Sequence, residues 1–166
     1  MRRCSSSLAV VTLAGFLATF PAVAGWRNTE WGMSPEQVVK ASHGEAHLTN
    51  GTEVTSQDPR PAVFGNYKTG NLEFASAFSF DYKLGLDLVV LDLKDQANCS
   101  QVLLTLRALY GSAQNEANSG GDYFAHWTAA SKNLYVSAFV FPPVGSFRGA
   151  CKLTYVPLIQ GGANGL

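Results

Sequence analysis

The sequence is short of charge. Lys and Arg total 12, Asp and Glu total 12, and charged residues make up only 14% of the 166 positions. So low a charge fraction beside 46% hydrophobic residues excludes a disordered or coiled-coil chain and leaves a packed globular domain. A formal net charge of zero removes the basic excess on which nucleic-acid binding depends. Chemistry-bearing motifs are missing as well. Gly145-Ser146-Phe147-Arg148-Gly149 carries its serine one position too early for a nucleophile elbow and reads as a strand connection. Gly120-Gly121 and Gly161-Gly162 read as a turn and a tail, not as phosphate-cradling loops. The longest uncharged apolar run, Leu8 to Phe20, holds 13 residues and falls short of the roughly 20 that span a bilayer.

That run sits inside a targeting signal. Arg2 and Arg3 precede it, and Pro21 with the small-residue site Ala22-Val23-Ala24 follows, the three-part layout of a secretory leader cleaved before Gly25. Residues 1–24 are therefore expected to be removed, leaving 25–166 as one α+β domain, periplasmic or secreted and without membrane insertion. Loss of Arg2 and Arg3 leaves ten basic against twelve acidic residues, a net charge of −2. Two cysteines remain, Cys99 and Cys151, with a single pairing open to them in an oxidising compartment. The predicted disulfide closes a loop of about 53 residues, worth about 4 kcal/mol in the chain-entropy treatment.

Two helix starts stand 64 residues apart, at Ser34 and Asn98. Met33-Ser34-Pro35-Glu36-Gln37-Val38 supplies an N-cap Ser, a Pro at the first helical position, a Gln to complete the capping box and a Met/Val staple. The spacing predicts a helix over 34–43, ended by Gly44. Ala97-Asn98-Cys99-Ser100-Gln101-Val102 repeats the layout, and Val102, Leu103, Leu106, Leu109 and Tyr110 form one apolar stripe that Gly111 ends. Period-two alternation marks strands at 72–82, 86–93, 122–128, 134–141 and 148–156, with a weaker one at 62–67. The strand from Leu86 changes phase around Val89-Val90, as a β-bulge would cause. Residues 45–61 read as loop, with a short strand near Thr52 to Thr55. The expected architecture is a two-layer α+β domain: one antiparallel sheet with two helices on one face, built as a tandem helix-plus-three-strands repeat over about 31–95 and 96–158.

The disulfide orients that sheet. Cys99 opens the second helix, so Cys151 must point toward the helices with Leu153 and Tyr155, while Lys152 points away. Leu134, Val136, Ala138 and Val140 supply the aliphatic face of their strand, which puts Tyr135, Phe139 and Phe141 on the other. Those rings are either exposed on an open sheet face or covered by the loop 45–61. Tyr135, Phe139, Phe141 and Lys152 are the candidate binding residues.

The start Gly32-Met33-Ser34-x-x-x-Val38 resembles that of the β-lactamase-inhibitor-protein-like fold, shared with small outer-membrane assembly lipoproteins. The resemblance implies helix-plus-strands units in tandem, helices over one sheet face, and a protein that binds other proteins and is not an enzyme. The resulting expectation is a non-catalytic, exported protein-binding module of the bacterial envelope, inhibitor- or assembly-factor-like, whose partner is another envelope or secreted protein and which needs no cofactor. The competing reading is a small periplasmic hydrolase or a metal- or ligand-binding protein. His43 and His47 stand four residues apart with Glu45 between, the spacing of a metal pair on a continuous helix, although Gly44 argues against that continuity. His126 reads as a structural or surface histidine, and Asp81, Asp87, Asp92 and Asp95 as solvated surface charge.

Overall fold

Capping chemistry and alternation determine most of the elements. The computed structural model describes residues 25–49 and 63–158; the expected leader at 1–24, the strand near Thr52 to Thr55 and the tail from Gly161 lie outside the described residues. In chain order come α1 (Pro35–Ala41), β1 (Ala46–Leu48), β2 (Val63–Thr69), β3 (Leu72–Asp81) and β4 (Gly85–Leu93). After them follow α2 (Cys99–Tyr110), β5 (Asn115–Ser119), β6 (Asp122–Ala129), β7 (Leu134–Phe141) and β8 (Ala150–Pro157). The strands form one antiparallel sheet in the order β1-β2-β3-β4-β8-β7-β6-β5. Among the described residues each helix thus precedes four strands, not three. The additional ones are the outermost strands: β1 falls in a segment expected to be loop, and β5 is a polar, fully exposed run with no apolar alternation to betray it.

α1 begins as its capping box dictates. Ser34 Oγ accepts from the Gln37 backbone N–H at 3.4 Å, and Gln37 Oε1 accepts from the Ser34 N–H at 2.8 Å. It stops at Ala41, two residues before the expected end, because His43 and then Gly44 turn to positive φ, +52° and +89°. α2 departs further. Asn98 makes no side-chain cap; Asp95 instead caps a preceding 3-10 turn at Gln96–Asn98, and the Gln101 amide pairs with Asn71 at 3.1 Å rather than folding back. Gly111 ends α2 as expected, at φ +82°.

The phase slip in β4 comes earlier than Val89. Ser79 pairs with Leu88 but Phe80 with Leu86, so Asp87 is the extra residue of the bulge and Leu88 faces away from Leu86. Downstream the register is regular, with Leu91 opposite Ser76 on one side and Leu153 on the other. The segment before α1 is tied to this strand: Gly32 N–H donates to the Leu86 carbonyl at 3.0 Å and Leu86 N–H to the Met33 carbonyl at 2.9 Å. The approach is so close that a Cβ on Gly85, itself at φ +74°, would meet the Gly32 oxygen at 2.2 Å.

The Cys99–Cys151 disulfide forms, with Cα atoms 5.9 Å apart. It gathers the side of the sheet shared by Cys151, Leu153 and Tyr155, and register carries that side to Phe74, Phe78, Val89, Leu91, Val136 and Ala138. These residues form one buried cluster with Val38 of α1 and Cys99, Val102 and Leu106 of α2. Leu103 and Tyr110 pack partly against it, whereas Leu109, expected on the same stripe, is 63% exposed. Trp127 of β6 is fully buried in the cluster and donates from Nε1 to the Gly111 carbonyl at 2.9 Å, fixing the end of α2.

Candidate functional site: the outer face of the sheet

Alternation places every second strand residue on the side opposite Cys151. Tyr135, Phe139 and Phe141 of β7 and Lys152 of β8 all lie there, with Phe139 paired across the strands with Lys152. Two neighbours from β6 complete the patch. Phe124 stands opposite Phe139 and meets it edge to face at 5.7 Å, and it meets Phe141 edge to face at 5.8 Å. The His126 ring lies 5.3 Å from that of Tyr135. These rings are half-buried by one another. Lys152 reaches across to Asp92 of β4 at 3.4 Å, an exposed pair that borders the rings. A shallow concavity of about 230 Å³ opens over Phe124, His126, Tyr135, Ser137 and Phe139.

The four sequence-derived binding residues are therefore brought to one face. Phe124 and His126 were missed as members, yet alternation in β6 already separates them from Tyr123, Ala125 and Trp127, and the pairing register supplies the rest.

The histidine pair is not brought together in the same way. His43 sits exposed in the turn after α1, and His47 lies exposed on β1. Glu45 is engaged by the Arg27 guanidinium. No group of three His, Cys, Asp or Glu residues able to hold a metal occurs among the described residues. The continuous helix on which the metal pair was expected is not formed, since α1 ends at Ala41, before either histidine.

Three of the four aspartates have local work to do. Asp81 accepts from the Lys83 and Leu84 backbone N–H groups, both at 2.8 Å, Asp92 pairs with Lys152, and Asp95 caps the 3-10 turn. Asp87 differs from the solvated charge expected of it. It is half-buried in the bulge with Oδ1 unpartnered, and burial, then the nearby Asp81 charge, raises its carboxyl above the ordinary range. The shift thus has two causes, burial in the bulge and the Asp81 carboxylate beside it.

No family model and no curated protein matches the chain. Among solved structures it is similar to a DUF4309 family protein (YjgB) from Bacillus subtilis, at 12% identity and a TM-score of 0.41, over 75% of this chain and 78% of that one. No helix among the described residues is long and apolar enough to cross a membrane.

Proposed function

We propose that the protein is an exported, non-catalytic binding module of the bacterial envelope that docks another envelope or secreted protein on the outer face of β6 and β7. The observation that carries this reading is the ring cluster Phe124, Phe139 and Phe141 with Tyr135, gathered on the side of the sheet away from the disulfide and the buried cluster. Large rings on a sheet face that the core does not use are what interface centres are built from, and the Lys152–Asp92 pair beside them suits a polar rim. The disulfide fits an oxidising compartment, periplasmic or extracellular.

The same proposal takes the domain as two layers, with both helices roofing the Cys151 side, and as a tandem repeat. Support comes from the register: Phe74 opposite Leu93 has its counterpart, 62 positions on in both strands, in Val136 opposite Tyr155. At the join, Leu91 pairs with Leu153, the residue 62 positions further on. A two-fold relation between the halves passes through that pair. This organisation agrees with the resemblance of Gly32-Met33-Ser34-x-x-x-Val38 to the β-lactamase-inhibitor-protein-like fold, whose members bind proteins.

A photo-crosslinking amino acid at Ser137, amid the rings, tests the docking surface in the native envelope. A discrete protein adduct from Ser137, absent from the same probe at Thr105 on the exposed side of α2, is the expected result. Equal adducts from both positions would refute the assignment.

A further inference from the structure

A second site lies on the other side of the sheet. Between the segment 25–27, α2 and the strands runs a cavity of about 400 Å³, within the size range of small-molecule sites. Its walls are aromatic. Trp26 stands between Tyr67 of β2 and Tyr155 of β8, with ring centroids 5.2 and 6.2 Å away, and Tyr110 closes the side toward α2. Leu109, left exposed at the end of α2, also lines it.

The polar groups in this cavity are nearly all donors. The Arg27 guanidinium lies 4.5 Å from the centre of the Tyr67 ring, and Lys132 Nζ lies 5.7 Å from that of Tyr110. Arg27 shares its charge with Glu45, whereas Lys132 pairs with no carboxylate among the described residues. Tyr155 is only 7% exposed, and neither its hydroxyl nor that of Tyr110 makes a hydrogen bond among the described residues. Phenols are protonated at neutral pH, and burial, followed by the neighbouring phenols, raises both further, so both are donors there. Both tyrosines line the cavity, where their hydroxyls are free to donate to an acceptor. An aromatic slot with two cations and two phenol donors is complementary to an anion carrying a flat apolar body.

We propose that this cavity binds a small organic monoanion, a carboxylate or sulfonate on an aromatic or similarly flat apolar body. Lys132, Arg27 and the Tyr155 and Tyr110 hydroxyls hold the charged end, and the Trp26 and Tyr67 rings hold the body. This site is independent of the outer-face docking surface, and the two stand or fall separately.

Titration of the purified protein with 8-anilinonaphthalene-1-sulfonate, followed calorimetrically, tests it. One equivalent is expected to bind, and 4-phenylbutyrate should displace it where 4-phenylbutylamine, the same body with the opposite charge, does not. Lys132→Glu, at an exposed position that leaves the core untouched, should weaken binding about tenfold or more, the scale of one charged hydrogen bond. Tyr155→Phe should weaken it several-fold at unchanged thermal midpoint, and Phe139→Ser on the outer face should leave it as it was. Absence of binding, equal displacement by the amine, indifference to Lys132→Glu, or loss in Phe139→Ser would each overturn the proposal.

Discussion

β3 and β7 each stand third among the described strands that follow a helix, and they distribute their residues in opposite ways. β3 turns Phe74, Phe78 and Phe80 inward and Ala75 and Ala77 outward. β7 turns Val136 and Ala138 inward and Tyr135, Phe139 and Phe141 outward. The core needs bulk on both sides of the join, but around β7 it receives that bulk from Trp127 of β6 and from the disulfide. Packing therefore explains the rings of β3 and leaves those of β7 without a role in the core. Strand propensity is equally content with either arrangement, so the difference between the halves points to the outer surface of the second one.

The largest expected effect lies in the first half. Phe78→Ala, removing a fully buried ring, should cost about 3–5 kcal/mol in urea unfolding, while Phe139→Ala should cost about 1 kcal/mol or less. Similar losses from both would erase the contrast. Next comes the link that anchors the second half. Replacing Cys99 and Cys151 together with Ser should remove about 2–4 kcal/mol and leave α2 the first segment to lose hydrogen-exchange protection. The two helix starts form a third comparison. Ser34→Ala should cost about 1 kcal/mol by thermal unfolding because its cap is made, and Asn98→Ala at most about 0.5 kcal/mol because its side chain makes none.

The smallest effect belongs to the bulge, which β4 has and β8 lacks. The Asp87 carboxyl is raised in the folded state, so folding takes up its proton and its contribution to stability falls as pH rises from the ordinary carboxylate range through the folded value. Asp87→Asn should accordingly raise the thermal midpoint at pH 7. That advantage should shrink as pH falls below the ordinary carboxylate range, and an advantage independent of pH would assign it to packing instead.

Much of this organisation is written locally. The Ser34–Gln37 box and the Cys99–Cys151 pair depend on residues whose chemistry admits one arrangement, the alternation in β3 and β7 separates the two faces of each strand, and each is found where the sequence places it. What escaped notice depends on partners far along the chain. β1 is three residues long and exists because β2 offers Val63, Phe64 and Gly65 for pairing. β5 has no hydrophobic period and is held by β6. The bulge lies at Asp87 because Phe80 and Leu86 both turn into the core, a constraint that four apolar residues in a row from Leu88 to Leu91 conceal. On the outer face, β7 announced three of its rings, but Phe124 and His126 joined only through strand pairing. The cavity beside Trp26 was illegible for the same reason, since its walls come from segments as far apart as Arg27 and Tyr155.

The contrast between the two strands is tested most directly on Tyr135→Ser/Phe139→Ser carrying the photo-crosslinker at Ser137, with thermal midpoint and adduct yield read from one preparation. The predicted result is a midpoint within about 4 °C of the parent, the shift expected for about 1 kcal/mol, together with loss of the adduct. A collapse of the midpoint would make the rings part of the core, and an undiminished adduct would place the partner elsewhere; either would contradict the proposal.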